Sequence, residues 1–440
     1  MFINIIKKYL KNKRLVKNIF SQINLNISSI LIQFFFPPLM ILIYGLENFG
    51  VWIFITSIPS VLNALNININ NASRTEMTIF YNRKKFSEVQ SIYVNSVFIT
   101  SIITGILVLI TVFIINCYNF NIEIFKNIEV KNVKIILNCV LISFYINFFS
   151  SIFEVGISYK GRIDVVTYLN IFFSIFSSIL ILLLGYKFKN LVFAGYAVLI
   201  TSVIHITLFY IAYLKFSKKL RLFDINLVSK KKLLILLKLS IPFFLDSLQN
   251  ILKHSFQIVI LGIFFNAQVV GLVSTMKTLF YFFPIKIWSI ISNPLLFEFT
   301  RLYALKSFNL LKKNYFSFIK LFFITGIIFL CISSIAGKFI YSYWLNSKYS
   351  FSYILFLLIV FDTVIFQLSW YYSILQRSFN KFQNISLFST FINIFILLFV
   401  LILFTKNINY YFLFNLNLLG SILILAYNYL STKNLIKFKF

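Results

Sequence analysis

The sequence predicts an all-α integral membrane protein with about twelve transmembrane helices in two six-helix halves around a central cavity. Three observations carry this. The 440-residue chain is a series of apolar runs separated by short loops, and each run has about the ~20 residues needed to cross ~30 Å of hydrocarbon. Hydrophobic residues make up 60% of the chain and charged residues only 12%, about half the charge of a soluble domain. Mean hydropathy is +0.90. Lys and Arg concentrate in alternate loops. With 12 Gly and no strand-length alternation, a β-barrel is disfavoured, so helices must satisfy the backbone in lipid.

The first half, residues 1–214, opens on a basic segment leading into the span Leu15–Ile43. That span is too long for a signal-peptide core, and no small-residue cleavage pattern follows it. Along it Asn18, Gln22, Asn26, Ser29 and Gln33 recur at steps of four and three, which puts them on one helical face. The segment Gly45 to Gly50 closes a hairpin into Gly50–Ile69. An inner loop with Arg74, Arg83, Lys84 and Lys85 precedes Val89–Asn116. The outer loop Cys117–Lys131 has fifteen residues and is the longest external segment, leaving no room for an extracytoplasmic catalytic domain. Asn132–Ser158, Asp164–Leu184 and Leu191–Leu214 complete the half.

A basic cytoplasmic linker, residues 215–232, leads to the second half, residues 233–440. Its first span, Leu233–Phe264, carries Asp246, Asn250, Lys253 and Gln257 on one face, with His254 beside them. Asn266 to Gly271 closes the next hairpin, and Gly271 lies 221 residues after Gly50. Val269–Asn293 holds Lys277 and Lys286, nine residues apart and so on opposite faces. Tyr315–Ile340 and Phe351–Leu375 follow, the latter with the lone acid Asp362. Gln383–Phe404 and Tyr410–Leu430 end the set. Pro37, Pro38, Pro59, Pro242 and Pro284 sit inside spans and should bend them.

A net charge of +30 suggests nucleic acid until position is considered. Segments that would lie inside hold 28 basic residues, and the outer loops only Lys126, Lys131, Lys187, Lys189, Lys348 and Lys406. The positive-inside rule then places both termini in the cytoplasm, with the charges facing water and lipid headgroups rather than nucleic acid.

Polar groups at membrane depth face protein or water. The matching stripes on the first helix of each half therefore read as the lining of a central hydrophilic cavity. Its candidates are Gln22, Asn26, Gln33, Asn250 and Gln257, with Lys253 and Lys277 as cations. The alternative is hydrogen bonding between helices. Asp246 lies two turns from Lys253 and could pair with it, carry a coupling proton or take part in Na⁺ binding. His254 and Asp362 are the further coupling candidates. Two His, three Cys without ligand spacing, no P-loop and no serine nucleophile elbow leave no metal site, ATPase or hydrolase signal. The expectation is a non-enzyme without a cofactor, driven by an H⁺ or Na⁺ gradient.

Tyr44-Gly45-Leu46-Glu47-Asn48-Phe49-Gly50-Val51-Trp52 resembles the hairpin signature of bacterial oligosaccharide flippases. These Wzx-type O-antigen transporters belong to the multidrug/oligosaccharidyl-lipid/polysaccharide (MOP) superfamily, whose fold is MATE-like. Lys160-Gly161-Arg162, Lys238 to Phe243 and Asn266 to Gly271 are similar to later segments of that family, in the same order. The family's Asp-Gly pair late in the second span is replaced here by Asn63-Ala64-Leu65-Asn66-Ile67-Asn68, so any role of that acid does not carry over. The resemblance implies a substrate: undecaprenyl-pyrophosphate-linked oligosaccharide, moved to the outer leaflet of the bacterial inner membrane. It also implies membrane lipids, a polysaccharide polymerase and chain-length proteins as partners. Lys253 and Lys277 would meet the pyrophosphate, and the amide stripes the sugar hydroxyls.

Two other readings stay open. A multidrug cation exporter of the same superfamily would favour acids and aromatics in its cavity. A polysaccharide polymerase or ligase would need a sizeable outer loop. Topology is directly testable: reporter fusions at Lys126 and Lys348 should read outside, and fusions at Lys84, Lys230 and Lys437 inside. A cytoplasmic readout at Lys126 would break the twelve-span arrangement.

Overall fold

The computed structural model describes residues 13–62, 69–117, 123–126, 128–217, 220–222, 224–304, 307–346, 349, 351–379, 381–405 and 409–439. Among them the structure is helical, with no strand. The first set is α1 (Lys13–Tyr44), α2 (Leu46–Leu62), α3 (Ile69–Asn82), α4 (Phe86–Cys117), α5 (Val130–Ser158), α6 (Ile163–Phe188) and α7 (Leu191–Phe216). Then come α8 (Lys230–Lys253), α9 (Ser255–Phe264), α10 (Ala267–Lys277) and a π-helical turn, Thr278–Phe282. The set ends with α11 (Phe283–Ala304), α12 (Phe308–Trp344), α13 (Tyr353–Ser378), α14 (Gln383–Phe404) and α15 (Tyr411–Lys439).

Among the described residues eleven helical stretches are long and apolar enough to cross a membrane, with Lys230–Phe264 and Ala267–Ser292 each counted as one. The shorter apolar helix Leu46–Leu62 has 17 residues. The fold is that of a multi-pass membrane protein. Large apolar side chains such as Ile335 and Phe339 stand 87% and 73% exposed, as residues facing lipid tails would.

The expected span Gly50–Ile69 is helical up to Leu62, and its segment Asn63 to Asn68 lies outside the described residues. Two departures from the expected spans lie among the described residues. Ile69–Asn82 is a helix, although its polar composition reads as a loop. It buries one narrow face, Ile69, Ala72, Ser73 and Met77, which a hydropathy window averages away. The expected span Leu233–Phe264 breaks at His254, whose backbone sits at φ −119°, ψ −65°.

Prolines are met by side chains from other helices. A proline removes the hydrogen bond to the carbonyl four residues earlier. Pro38 thereby frees the Phe34 carbonyl, which accepts from the Trp344 indole N–H at 2.8 Å. Pro284 follows the π-turn and removes a backbone donor there, and the Thr363 hydroxyl, 2.6 Å from the Ile359 carbonyl of its own helix, also lies 2.9 Å from the Phe280 carbonyl. The short hairpin between α1 and α2 turns on Gly45 at φ +84°, a left-handed conformation that glycine adopts without a Cβ penalty. The second hairpin uses a cap instead: the Asn266 side chain accepts from the Val269 N–H at 3.0 Å.

By internal contacts the chain forms two compact units. The first comprises Met1–Ile32 and Leu39–Ser247, the second Gln33–Pro38 and Leu248–Phe440. The first packs around Tyr93, Val155, Phe209 and Tyr213. The second packs around Phe299, Tyr315, Phe322, Tyr371 and Leu375. In the second unit α12 and α13 approach so closely that a Cβ on Gly337 would lie 2.5 Å from the Phe356 ring.

Thr363 ties α13 to the π-turn, and this can be measured. Thr363→Val keeps the shape but removes the hydroxyl that reaches the Phe280 carbonyl. It should destabilise the detergent-solubilised protein by about 1–2 kcal/mol in thermal unfolding, while Thr363→Ser should be near neutral. Equal stability of the Val variant and the parent would remove the hydroxyl from this role.

Candidate functional site

The second unit gathers most of the intramembrane charge the sequence singles out. Lys253 is the last residue of α8, Asp362 sits on α13 and Ser421 on α15. The Lys253 Nζ donates to Asp362 Oδ1 at 2.9 Å and to Ser421 Oγ at 2.7 Å. Ser421 Oγ in turn donates to Asp362 Oδ1 at 2.5 Å. The triangle is closed and buried, with Lys253 at 5% exposure and Asp362 at 9%. The ammonium also lies 4.5 Å from the Phe366 ring centroid, where a ring face attracts a cation. Lysine has three N–H donors and no acceptor, so two hydrogen bonds and one ring face account for its bonding capacity.

A second buried amine stands nearby. Lys277, at the end of α10, donates to Gln257 Oε1 at 3.0 Å and lies 5.9 Å from the Phe414 ring centroid. It interacts electrostatically with both Asp362 and Lys253. Two buried amines thus stand around one carboxylate. Both helix irregularities of this unit flank it: the break at His254 follows Lys253, and the π-turn follows Lys277. Interrupted helices of this kind mark binding sites in transporters, and π-bulges recur at functional sites.

From this cluster a groove runs within the second unit. Its interior is about 30 Å³, roughly the room of a single ordered water. Asn250 and Lys253 line it from α8, Ser389 and Asn393 from α14, and Ser421 and Asn428 from α15. From α13 it is lined by Phe366, Ser369, Trp370, Ser373 and Arg377, spaced three and four apart on one helical face. At its far end Arg377 lies 3.9 Å from the Trp370 ring centroid, and its Nε donates to Ser373 Oγ at 3.1 Å.

The predicted residues separate accordingly. Lys253, Asn250 and Asp362 come together, as do Lys277 and Gln257. The expected Asp246–Lys253 pair is replaced, because Asp362 takes the ammonium. Asp246 is partly buried and belongs to the first unit. His254 packs its ring against Tyr281 and Phe282 at 4.8 and 5.3 Å, with Nδ1 buried and unpartnered among the described residues. Gln22 is exposed yet donates to Thr167 Oγ1 at 3.0 Å, which is interhelical bonding inside the first unit. Asn26 is partly exposed there too. Gln33 belongs to the second unit, with a buried, unpartnered Oε1 among the described residues. The Asn18 side chain lies outside the description.

Sequence reasoning missed Arg377, Trp370 and the stripes on α13 to α15. It placed Arg377 in a loop two residues past a span end, whereas α13 continues to Ser378. It also missed a polar cluster of the first unit. Arg74 on α3 interacts electrostatically with Glu154 on α5, and Glu154 is hydrogen-bonded to Asn170. Asn170 Oδ1 contacts His205 Nε2 at 3.3 Å, and Ser150 Oγ contacts Nδ1 at 3.1 Å. A signal existed for Glu154, an acid inside an apolar run. Among the described residues no group of three His, Cys, Asp or Glu could hold a metal ion.

No family model and no curated protein sequence matches the chain. Solved structures match it over nearly its whole length. An inward-facing multidrug resistance MATE family transporter of the MOP superfamily aligns at a TM-score of 0.63 and 15% identity, over 94% of this chain and 98% of that one. A substituted form of the Vibrio cholerae MATE transporter VcmN aligns at 0.64 and 14% identity, over 97% of each chain. A MOP superfamily transporter from Pyrococcus furiosus aligns at 0.56 and 12% identity, over 96% of this chain and 94% of that one. That protein is described by a reverse polarity of its binding pocket, suggesting a different function. The chain has a MATE-like fold.

Proposed function

We propose that the protein is a flippase. It carries undecaprenyl-pyrophosphate-linked oligosaccharide, an O-antigen or similar repeat unit, from the cytoplasmic to the outer leaflet of the bacterial inner membrane. Alternating access coupled to an H⁺ or Na⁺ gradient would drive it. The observation that supports this reading best is the sign of the second unit's buried charge. Lys253 and Lys277 stand around one carboxylate, Asp362, and the groove that starts at Lys253 adds one further basic residue, Arg377, and no acid. Such a site repels a cationic drug and attracts a pyrophosphate. Amides and hydroxyls along the same groove match sugar hydroxyls.

The multidrug exporter is the second reading, since solved neighbours of the same fold are multidrug resistance transporters. The Pyrococcus furiosus neighbour supports the view that pocket polarity varies within the fold. Asp246, His254 and Asp362 remain the proposed coupling groups. Asp362 is held directly by Lys253, so its carboxylate could only exchange a proton or Na⁺ if Lys253 moved away.

The test is reconstitution in proteoliposomes with two substrates, a polyprenyl-pyrophosphate-linked oligosaccharide and ethidium. Flipping of the first without ethidium transport is the expected result, and ethidium transport alone would favour the exporter. Lys277→Ala, which removes a cation without breaking an ion pair, should slow flipping about tenfold at normal protein level. Unchanged flipping in that variant would exclude Lys277 from headgroup binding.

A further inference from the structure

We propose that the opening turns of α8 bind anionic phospholipid headgroups, with Lys231 and Lys238 as the residues that meet the phosphates. The proposal is independent of what the protein carries. Lys230, Lys231 and Lys232, the end of the basic linker, form the start of α8. One side of these turns packs into the first unit and buries Leu236 and Ser240. The opposite side is exposed and mixes two kinds of residue. Lys231 and Lys238 lie at its centre, two helical turns apart. Leu234, Ile235, Leu239 and Ile241 flank them, all exposed.

Bonds to α4 fix the rotation of that helix. Lys232 Nζ donates to Glu88 Oε2 at 2.7 Å and to Ser91 Oγ at 2.9 Å. Just before the helix, Asn95 Oδ1 accepts from the Ser229 N–H at 3.0 Å, and Asn95 Nδ2 donates to the Leu227 carbonyl at 2.9 Å. Lys232 is thereby turned toward α4 and takes Glu88, while Lys231 and Lys238 stay outward. Among the described residues neither Lys231 nor Lys238 has a hydrogen bond, an ion pair or a ring contact. An ammonium amid side chains that face acyl tails needs a counter-charge, and for Lys238 the chain supplies none. Lysine stems lie along apolar surface and carry the ammonium to headgroup depth, where the available anion is a lipid phosphate. A zwitterionic headgroup brings its own cation, which Lys230, Lys231 and Lys238 repel. A net-anionic headgroup does not. Because the bonds to α4 set the face in advance, binding has little ordering left to do.

The experiment uses the full-length protein, delipidated in detergent, and counts bound lipids by native mass spectrometry. The probes are phosphatidylglycerol and phosphatidylcholine with the same acyl chains. Phosphatidylglycerol should bind at about tenfold lower concentration. Lys231→Gln combined with Lys238→Gln should bring the two lipids level, whereas Lys231→Arg combined with Lys238→Arg should keep the preference, since the charge survives. A control, Lys312→Gln combined with Lys313→Gln, removes the same charge from exposed positions on α12 and should also keep it. Equal binding of the two lipids by the parent would overturn the site, as would a preference that survives the α8 Gln pair. Loss of the preference in the α12 pair as well would overturn it too, because net charge rather than this face would then be responsible. Should the α8 Gln pair fail to fold, Lys238→Gln alone decides the point: the preference should fall about threefold, and a parental preference would contradict the assignment.

Discussion

A charge in hydrocarbon must find its opposite, and the Lys253–Asp362 ion pair is where this constraint organises the second unit. The pair joins α8 to α13, and Ser421 brings in α15 through the same oxygen. Three helices are thus pinned at one buried point. In lipid the hydrophobic effect does not drive helices together, so packing and interhelical hydrogen bonds must. Removing either charge would leave the other stranded, a loss of about 3–5 kcal/mol for buried pairs.

The same helices carry the irregularities that shape the unit. The break at His254 comes one residue after the ammonium, and the π-turn one residue after Lys277. Pro284 removes a backbone donor beside that turn, and the hydroxyl of Thr363, the neighbour of Asp362, reaches the Phe280 carbonyl at 2.9 Å as well as its own helix's Ile359 carbonyl. One turn of α13 therefore holds both a counter-charge and a tie to the π-turn. Hydroxyls elsewhere mostly bond within their own helix, as Ser57 does to Phe54 and Ser143 to Cys139. Amides reach across helices, as Asn147 does to Ser202 and Asn428 to Ser369.

Much of the fold was legible because bilayer thickness imposes a length on every apolar run, and the spans from Val89 onward fall on helical stretches, Leu233–Phe264 with a break at His254 and Val269–Asn293 with a π-turn inside it. The α3 helix was not legible, since its four buried residues lie among polar ones. Charge identity was legible but charge pairing was not. Lys253 and Asp246 share a helix face, yet Lys253 pairs with Asp362, 109 residues away, because helix packing brings α13 against the end of α8. Stripes on α1 and α8 stood out through repeated Asn and Gln. Those on α13 to α15 are built largely of Ser, Trp and single Asn residues, which merge into apolar runs. Glu154 shows the opposite failure: an acid inside an apolar run was visible but went unweighed beside its distant partner, Arg74.

The ion pair is best tested by a double-substitution cycle on Lys253 and Asp362, read by thermal unfolding of the detergent-solubilised protein. Lys253→Met and Asp362→Leu should each lower stability by about 3–5 kcal/mol. The double variant should be more stable than either single variant, because no stranded charge remains. A double variant as unstable as the two losses added together would contradict the pairing on which the second unit is built.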